Sequence, residues 1–270
     1  MTVLQKVVKY LALALAIFLI TTIISSIVVV ILSISNFLGI RVKEDTKDIK
    51  ELVCNYDNIR NLNISLGYSN LYIKESDKFF IQTNSADISC NSKNGTLNIK
   101  ENKNWFFINK SKTLVIHIPS ESNFNNITID TGAGNVNIET LLTNFLNLDL
   151  GAGATKIDNI SSNKAFISTG AGKLTISKGT INDLKFNMGV GEVSITSKLT
   201  GNNSIEAGVG SLKLNLLGNT NDYKVKIEKG IGKTVIDSKN VSDNEIIGTG
   251  INIVDIEGGV GQIDVNYIDE

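Results

Sequence analysis

The chain is 270 residues long and carries 26 Lys and Arg against 27 Asp and Glu, a formal net charge of −1. That length allows one or two domains with a sizeable core, and the even charge balance excludes the basic excess that marks a nucleic-acid binder. With one His and two Cys in the chain, a His-rich metal cage is excluded, and any Ser-His-Asp or Cys-His machine would have to be built around His117.

The first element is a membrane segment. No charged residue lies between Lys9 and Arg41, and residues 7–34 read almost continuously Leu, Ala, Ile and Val. About 20 such residues cross a bilayer core, whereas the apolar region of a cleaved signal peptide is usually about 7–15 residues. The run predicts an uncleaved transmembrane signal anchor over residues 1–40. The Ser33-Ile34-Ser35-Asn36 tail is a weak cleavage site, and no Cys follows it to take a lipid. Flanking positive charge falls on both sides, Lys6 and Lys9 before and Arg41, Lys43, Lys47 and Lys50 after, so charge does not orient the helix. The expectation of an extracytoplasmic C-terminal domain rests instead on the character of that domain. Residues 41–58, with alternating charges, are expected to form a juxtamembrane linker.

Cys54 and Cys90 are 36 residues apart, too far for a local redox or zinc spacing. A single bridge in an oxidising compartment and two small buried hydrophobes both fit, and the second is the usual fate of free Cys.

Residues 59–123 divide into a diverged first repeat, Leu62 through Ile73 with Gly67-Tyr68-Ser69 at its centre, and strand-hairpin sequence from Phe79 to Pro119 with an Asn94-Gly95 turn. The hairpins are expected to cap an open end of a stack. The cluster Trp105-Phe106-Phe107 is expected to pack that cap, and His117, alternating with apolar neighbours, to face outward.

Residues 124–270 are a repeat. Gly-x-Gly units at Gly132/Gly134, Gly151/Gly153, Gly170/Gly172, Gly189/Gly191 and Gly208/Gly210 start 19 residues apart, and further units at Gly230/Gly232 and Gly259/Gly261 follow at stretched spacing. Pairs such as Ile127 and Ile129 precede each unit and pairs such as Val136 and Ile138 follow it, alternating apolar with polar as half-buried strands do. The inward parity changes across the glycines, the mark of a bulge or corner. The residue between the glycines, Ala133, Ala152, Ala171, Val190, Val209, Ile231 or Val260, is expected to form an inward ladder. A two-strand unit cannot bury its own apolar face, so the expected fold is all-β: a β-solenoid or layered repeat sheet with about 19 residues per repeat, preceded by one transmembrane helix.

Chemical motifs are sparse. Each Gly-x-Gly runs into a strand, not the helix a dinucleotide or phosphate loop needs, so the glycines read as structural. Gly258 to Asp264 resembles a calcium-binding nonapeptide, but its Asp is one residue late and the other units lack it. Outward positions after the glycines, Asn135, Ala154, Lys173, Glu192, Ser211 and Lys233, show no paired acids for glycan cleavage. The Asn-x-Ser/Thr triplets follow from the 33 Asn in the chain. Neither catalytic residues, cofactor, metal nor nucleic acid is expected.

The strand ending Ile116-His117-Ile118-Pro119, the run from Phe124 to Thr131 and the serial Gly-Ala-Gly units at 132, 151 and 170 together resemble a bacterial adhesin-type domain family of unknown function with toast-rack-like or β-solenoid repeats. The resemblance covers roughly residues 60–267. It implies a membrane-tethered extracytoplasmic domain, sometimes associated with envelope-stress systems, and supplies no active site. The expected role is non-enzymatic adhesion or surface interaction, with a cell-wall polymer or a membrane protein as partner. The alternatives are a regulatory or accessory partner of a membrane-bound envelope-stress sensing system, and an envelope glycan-active enzyme.

Overall fold

The computed structural model describes residues 49–102 and 111–269. The expected membrane segment at 7–34 and the Trp105-Phe106-Phe107 cluster lie outside the described residues. Among the described residues every regular element is a strand, and none is a helix able to cross a membrane.

The 19-residue period is the pairing register. Parallel partners include Ala133 with Ala152, Gly172 with Gly191 and Gly191 with Gly210, so each turn of chain lies directly on the one before it. A turn, or rung, has a first limb ahead of its glycines and a second limb after them. First limbs bury Ile127 and Ile129, Leu146 and Leu148, or Leu184 and Phe186, while second limbs bury Val136 and Ile138, Val193 and Ile195, or Leu212 and Leu214. Inward Leu, Ile and Val stack on their equivalents one rung away, and this stacking is the continuous core. Central rungs add a short third strand: Gly179–Asn182 pairs in parallel with residues 160–162 on one side and 198–200 on the other.

The glycines close the bend. Gly172 and Gly191 have φ of 144° and 142°, in the region closed to ordinary side chains. A Cβ on Gly191 would also be driven into the carbonyl of Gly172, one rung below. The residue between the glycines, expected to form an inward ladder, does not join the buried core: Val209, Val260 and Ile231 are 42%, 48% and 75% exposed, and Ala133, Ala171 and Val190 are half-buried.

Rung order departs from chain order at both ends. Strands Asn61–Leu66 and Asn70–Ser76 come first in the chain, yet they lie between the rung of Thr96–Glu101 and Thr113–Pro119 and the rung of 124–138. Likewise Asn252–Glu257 and Val260–Ile268 come last but lie between the 202–217 rung and the rung of Tyr223–Glu228 and Ile231–Ile236. The Gly259 unit is therefore not a stretched continuation beyond Gly230; it precedes it in the stack.

Antiparallel strands cover the outer edge of each terminal rung. Phe80–Thr83 pairs with Thr113–Pro119 and Ile88–Lys93 with Thr96–Glu101 at one end. Lys239–Asn240 and Glu245–Ile247 do the same for the terminal rung at the other. Such covers blunt the open edges that would otherwise template aggregation.

Of the expected 41–58 linker, the described part is built into the cap. Lys50–Glu51 pairs with Phe80–Thr83, and Leu52, Cys54 and Tyr56 pack against the core. Cys54 and Cys90 are joined in a disulfide with Cα atoms 6.2 Å apart, correcting the expectation of two buried thiols. The N-terminal strap crosses beside Ile88–Lys93 and brings them together, a proximity that their 36-residue separation did not reveal.

Asn203 shows how polar groups are satisfied inside the stack. Only 2% exposed, it accepts from the Leu184 N–H at 3.0 Å and donates to the Ile253 carbonyl at 2.9 Å, bridging three rungs. Gly191→Ala is expected to lower stability by about 4 kcal/mol, through strain and backbone collision together. Asn203→Leu should lower it by about 2 kcal/mol, by orphaning buried backbone groups. Ala171→Ser, half-buried at the corner, should stay within about 0.5 kcal/mol. Urea midpoints at unchanged m measure all three.

Candidate functional site

The alternation that buries one side of each limb displays the other in columns, one residue per rung, about 4.8 Å apart. On the first limb one column reads Asn98, Asn63, Thr128, Asn147, Phe166, Lys185, Ser204, Asp255 and Lys226 in stack order. Side-chain bonds run along the stack. Asn126 donates to Asn61 at 2.8 Å, Asn63 to Asn98 at 3.0 Å, Asn163 to Asn144 at 3.0 Å and Asn215 to Thr196 at 3.0 Å. These amide ladders hold the outer face flat and polar.

Three features of this face were missed from sequence. The first is a pair of half-buried rings, Phe145 and Phe166, with centroids 5.6 Å apart and the Lys164 ammonium 5.4 Å from the Phe166 centroid. Their 21-residue separation is one period plus two, and both are out of phase with buried neighbours, so a signal was present. The second is a carboxylate column, Glu206, Glu257 and Glu228 on successive rungs, invisible without the rung order. The third is the row of exposed apolar side chains at the corners, Val209, Val260 and Ile231.

The row after the glycines is mixed. Lys173 and Glu192 pair across adjacent rungs at 3.0 Å, but Asn135, expected outside, is 5% exposed: its N–H donates to the Asn70 side chain and its carbonyl accepts from Leu71. The adjacent rung lies over it and closes it from solvent. His117 stacks on Phe80 at 3.9 Å beneath the antiparallel cover, its Nε2 3.2 Å from the Gln82 oxygen.

The corner of the first repeat is closed differently from the rest. Glu101, reaching from the terminal rung, accepts from the N–H groups of Gly67 at 2.8 Å and Tyr68 at 2.9 Å and from Lys112 at 3.0 Å. Lys112 also meets Asp87 at 2.9 Å. Burial pushes the Glu101 carboxyl up, but the bonds from Tyr68, Lys112 and Gly67 together outweigh it and hold the group below its ordinary value. Asp87 foremost, with Glu101, holds the Lys112 ammonium above its usual range. Burial raises Tyr56, and burial with the Asp237 charge pushes Tyr267 up to about 12. Each of these groups moves away from neutrality, opposite to what acid-base catalysis at neutral pH requires.

Nor is there a built cavity at the glycine units. The hollow beside the corner, lined by Thr131, Thr155, Met188 and the glycines, is about 20 Å³, room for about one water. Among the described residues no group of His, Cys, Asp and Glu converges to hold a metal. The arrangement can offer a broad, rigid, patterned surface.

The sequence profile of the family described as "Toastrack DUF4097" matches residues 57–244, ending before the 252–268 rung. No curated protein matches the chain. Three solved structures are similar to it. A "putative cell adhesion protein" from Clostridium sporogenes is 18% identical over 82% of this chain and 98% of that one, with a TM-score of 0.35. A "putative adhesin" from Bacteroides fragilis is 18% identical over 80% and 95%, with a TM-score of 0.44. A "putative lipid binding protein" from Parabacteroides distasonis is 15% identical over 82% and 96%, with a TM-score of 0.37.

A depressed carboxylate stabilises the fold above its unfolded pKa and loses that contribution as pH falls through the folded one. Stability should therefore drop as pH falls below about 4.5, and part of that drop should vanish in Glu101→Gln. At pH 7 the same substitution should cost about 2 kcal/mol, the range for hydrogen bonds to a charged group; urea titrations at pH 7 and pH 3.5 compare the two proteins.

Proposed function

The chain belongs to the "Toastrack DUF4097" family, and we propose that it is a non-catalytic, membrane-anchored protein of the bacterial envelope that makes surface contacts outside the cytoplasm. The observation that carries this reading is the outward face itself: a rigid sheet on which amides, hydroxyls and charges recur in register from rung to rung. A ligand with its own repeat would meet the same kind of contact many times, and individually weak contacts would add through multivalency.

Two further features support the placement. The apolar run at 7–34 has the length of a membrane anchor, and the Cys54–Cys90 disulfide suits an oxidising compartment. A cytosolic domain would hold those thiols reduced. Against catalysis stand the small hollow at the corner and pKa shifts directed away from neutral pH.

Because the chain has no other Cys, thiol chemistry reports topology directly. In intact cells the two thiols should resist alkylation until a mild reductant is added, and then react with a membrane-impermeant maleimide. Labelling only after lysis would put the domain inside the cell and end this reading. Full-length protein in detergent should bind protein-free cell wall saturably. Recovery of one membrane protein with no wall binding would replace adhesion by partnership with that protein.

A further inference from the structure

We propose that Phe145 and Phe166, with the amides of Asn126 and Asn147 and the ammonium groups of Lys164 and Lys185, form a platform that binds an extended polysaccharide; this rests on the surface-contact reading and gives it a ligand class and a location.

The rings stand apart from the core. Leu146, Leu148, Ala165 and Ile167 are buried, so the alternation turns Phe145 and Phe166 to the opposite side. Other half-buried apolar side chains, such as Phe79, Tyr56 and Ala207, rest against the core, and these two rings are not among them. The outward side of the first limbs carries no other aromatic residue among the described ones; its remaining positions are almost all amide, hydroxyl or charged. Two large apolar rings side by side on an otherwise polar face contribute little to folding. They are the kind of exposed apolar feature that marks a contact site.

Their surroundings select the ligand. Asn126 is the register partner of Phe145, and Lys185 that of Phe166. One period of 19 residues puts Asn147 beside Phe166. Aromatic faces flanked by amides match a sugar ring, whose C–H face is apolar and whose rim is hydroxyl groups that both donate and accept. Lys164, exposed and 5.4 Å from the Phe166 centroid, can swing off the ring to a ligand oxygen. A peptide fits poorly here. The site lies on interior rungs whose backbone groups pair on both sides, so no strand edge is open for β-addition. A rung spacing of about 4.8 Å is close to the length of one sugar unit, so a polymer running along the stack over Phe166 would continue over Asn147, Thr128 and Asn63 with successive residues, with Phe145 flanking it from the neighbouring column.

The test uses full-length protein in detergent, titrated with chitohexaose by calorimetry and retained on protein-free wall polysaccharide. Phe145→Ala with Phe166→Ala should weaken both by about tenfold, the loss typical of paired aromatic anchors, while the urea midpoint shifts only by the small amount that loss of a surface cross-strand aromatic pair causes. Lys213→Ala, on the second limb, should change neither. Wild-type retention on wall polysaccharide that is unaltered in the double variant overturns the platform and leaves surface binding standing. Failure of the wild type to bind chitohexaose while still binding wall has the same effect. Absence of wall binding by the wild type overturns both. If a large shift of the urea midpoint shows the double variant to be misfolded, Asn147→Ala decides in its place: weaker retention on wall polysaccharide is expected, and unchanged retention overturns the platform.

Discussion

Everything in this molecule depends on how closely one corner can approach the next. At each bend the chain must fold onto a second limb while the rung beneath does the same directly below. Only glycine lets the two backbones touch, because a Cβ on Gly191 or Gly208 would occupy the carbonyl of the corner one rung away. The positive φ of the second glycine turns the chain, and the bare first glycine lets the turns nest. Once the corners nest, the limbs are held at sheet spacing, and the inward Leu, Ile and Val fall onto one another without further adjustment.

A stack built this way has two exposed ends, and the chain treats both alike. Its first and last rungs by sequence are each threaded one position inside the end, and the connecting segments cover the terminal rung with antiparallel strands. Internal threading leaves neither of these rungs on an open edge: Asn61–Leu66 and Asn252–Glu257 are paired on both sides. At the N-terminal end the disulfide and the Glu101–Lys112–Asp87 ion pairs add fixed points where the glycine pattern lapses into Gly67-Tyr68-Ser69. The departures from the repeat are concentrated where the repeat has no neighbour to rest on.

The interior, mostly apolar and close-stacked, leaves function to the outside. The two halves of the first-limb face differ. Amide and aromatic residues fill the part near the N-terminal rungs, and carboxylates and lysines the part near Glu206, Glu257 and Glu228. Like charges placed in register disfavour the sheet slightly, so the carboxylate column is not explained by folding. The charged groups whose titration is perturbed, Glu101 and Lys112, serve the cap and lie in a hydrogen-bonded network without a cleft.

The strand class, the 19-residue register and the place of the bend are legible from the residues alone, because period-two alternation and glycine spacing are local properties that any correct pairing must respect. The same alternation identified which side of Ile127, Val136 or Leu212 is buried. It did not decide how far Ala133 or Val209 is covered, since the exposure of a side chain at a bend depends on the rung packed against it. Nor did it decide the pairing of Cys54 with Cys90, the burial of Asn135 under the neighbouring rung, or the place of the Gly259 rung ahead of Gly230. Each of these is set by which segment comes to lie beside which across 29 or more residues of chain, and rung order carries no local mark because every slot accepts the same register. The Phe145–Phe166 pair stands between the two cases: its spacing is written in the sequence, but only the stacked rungs make two separate residues into one surface.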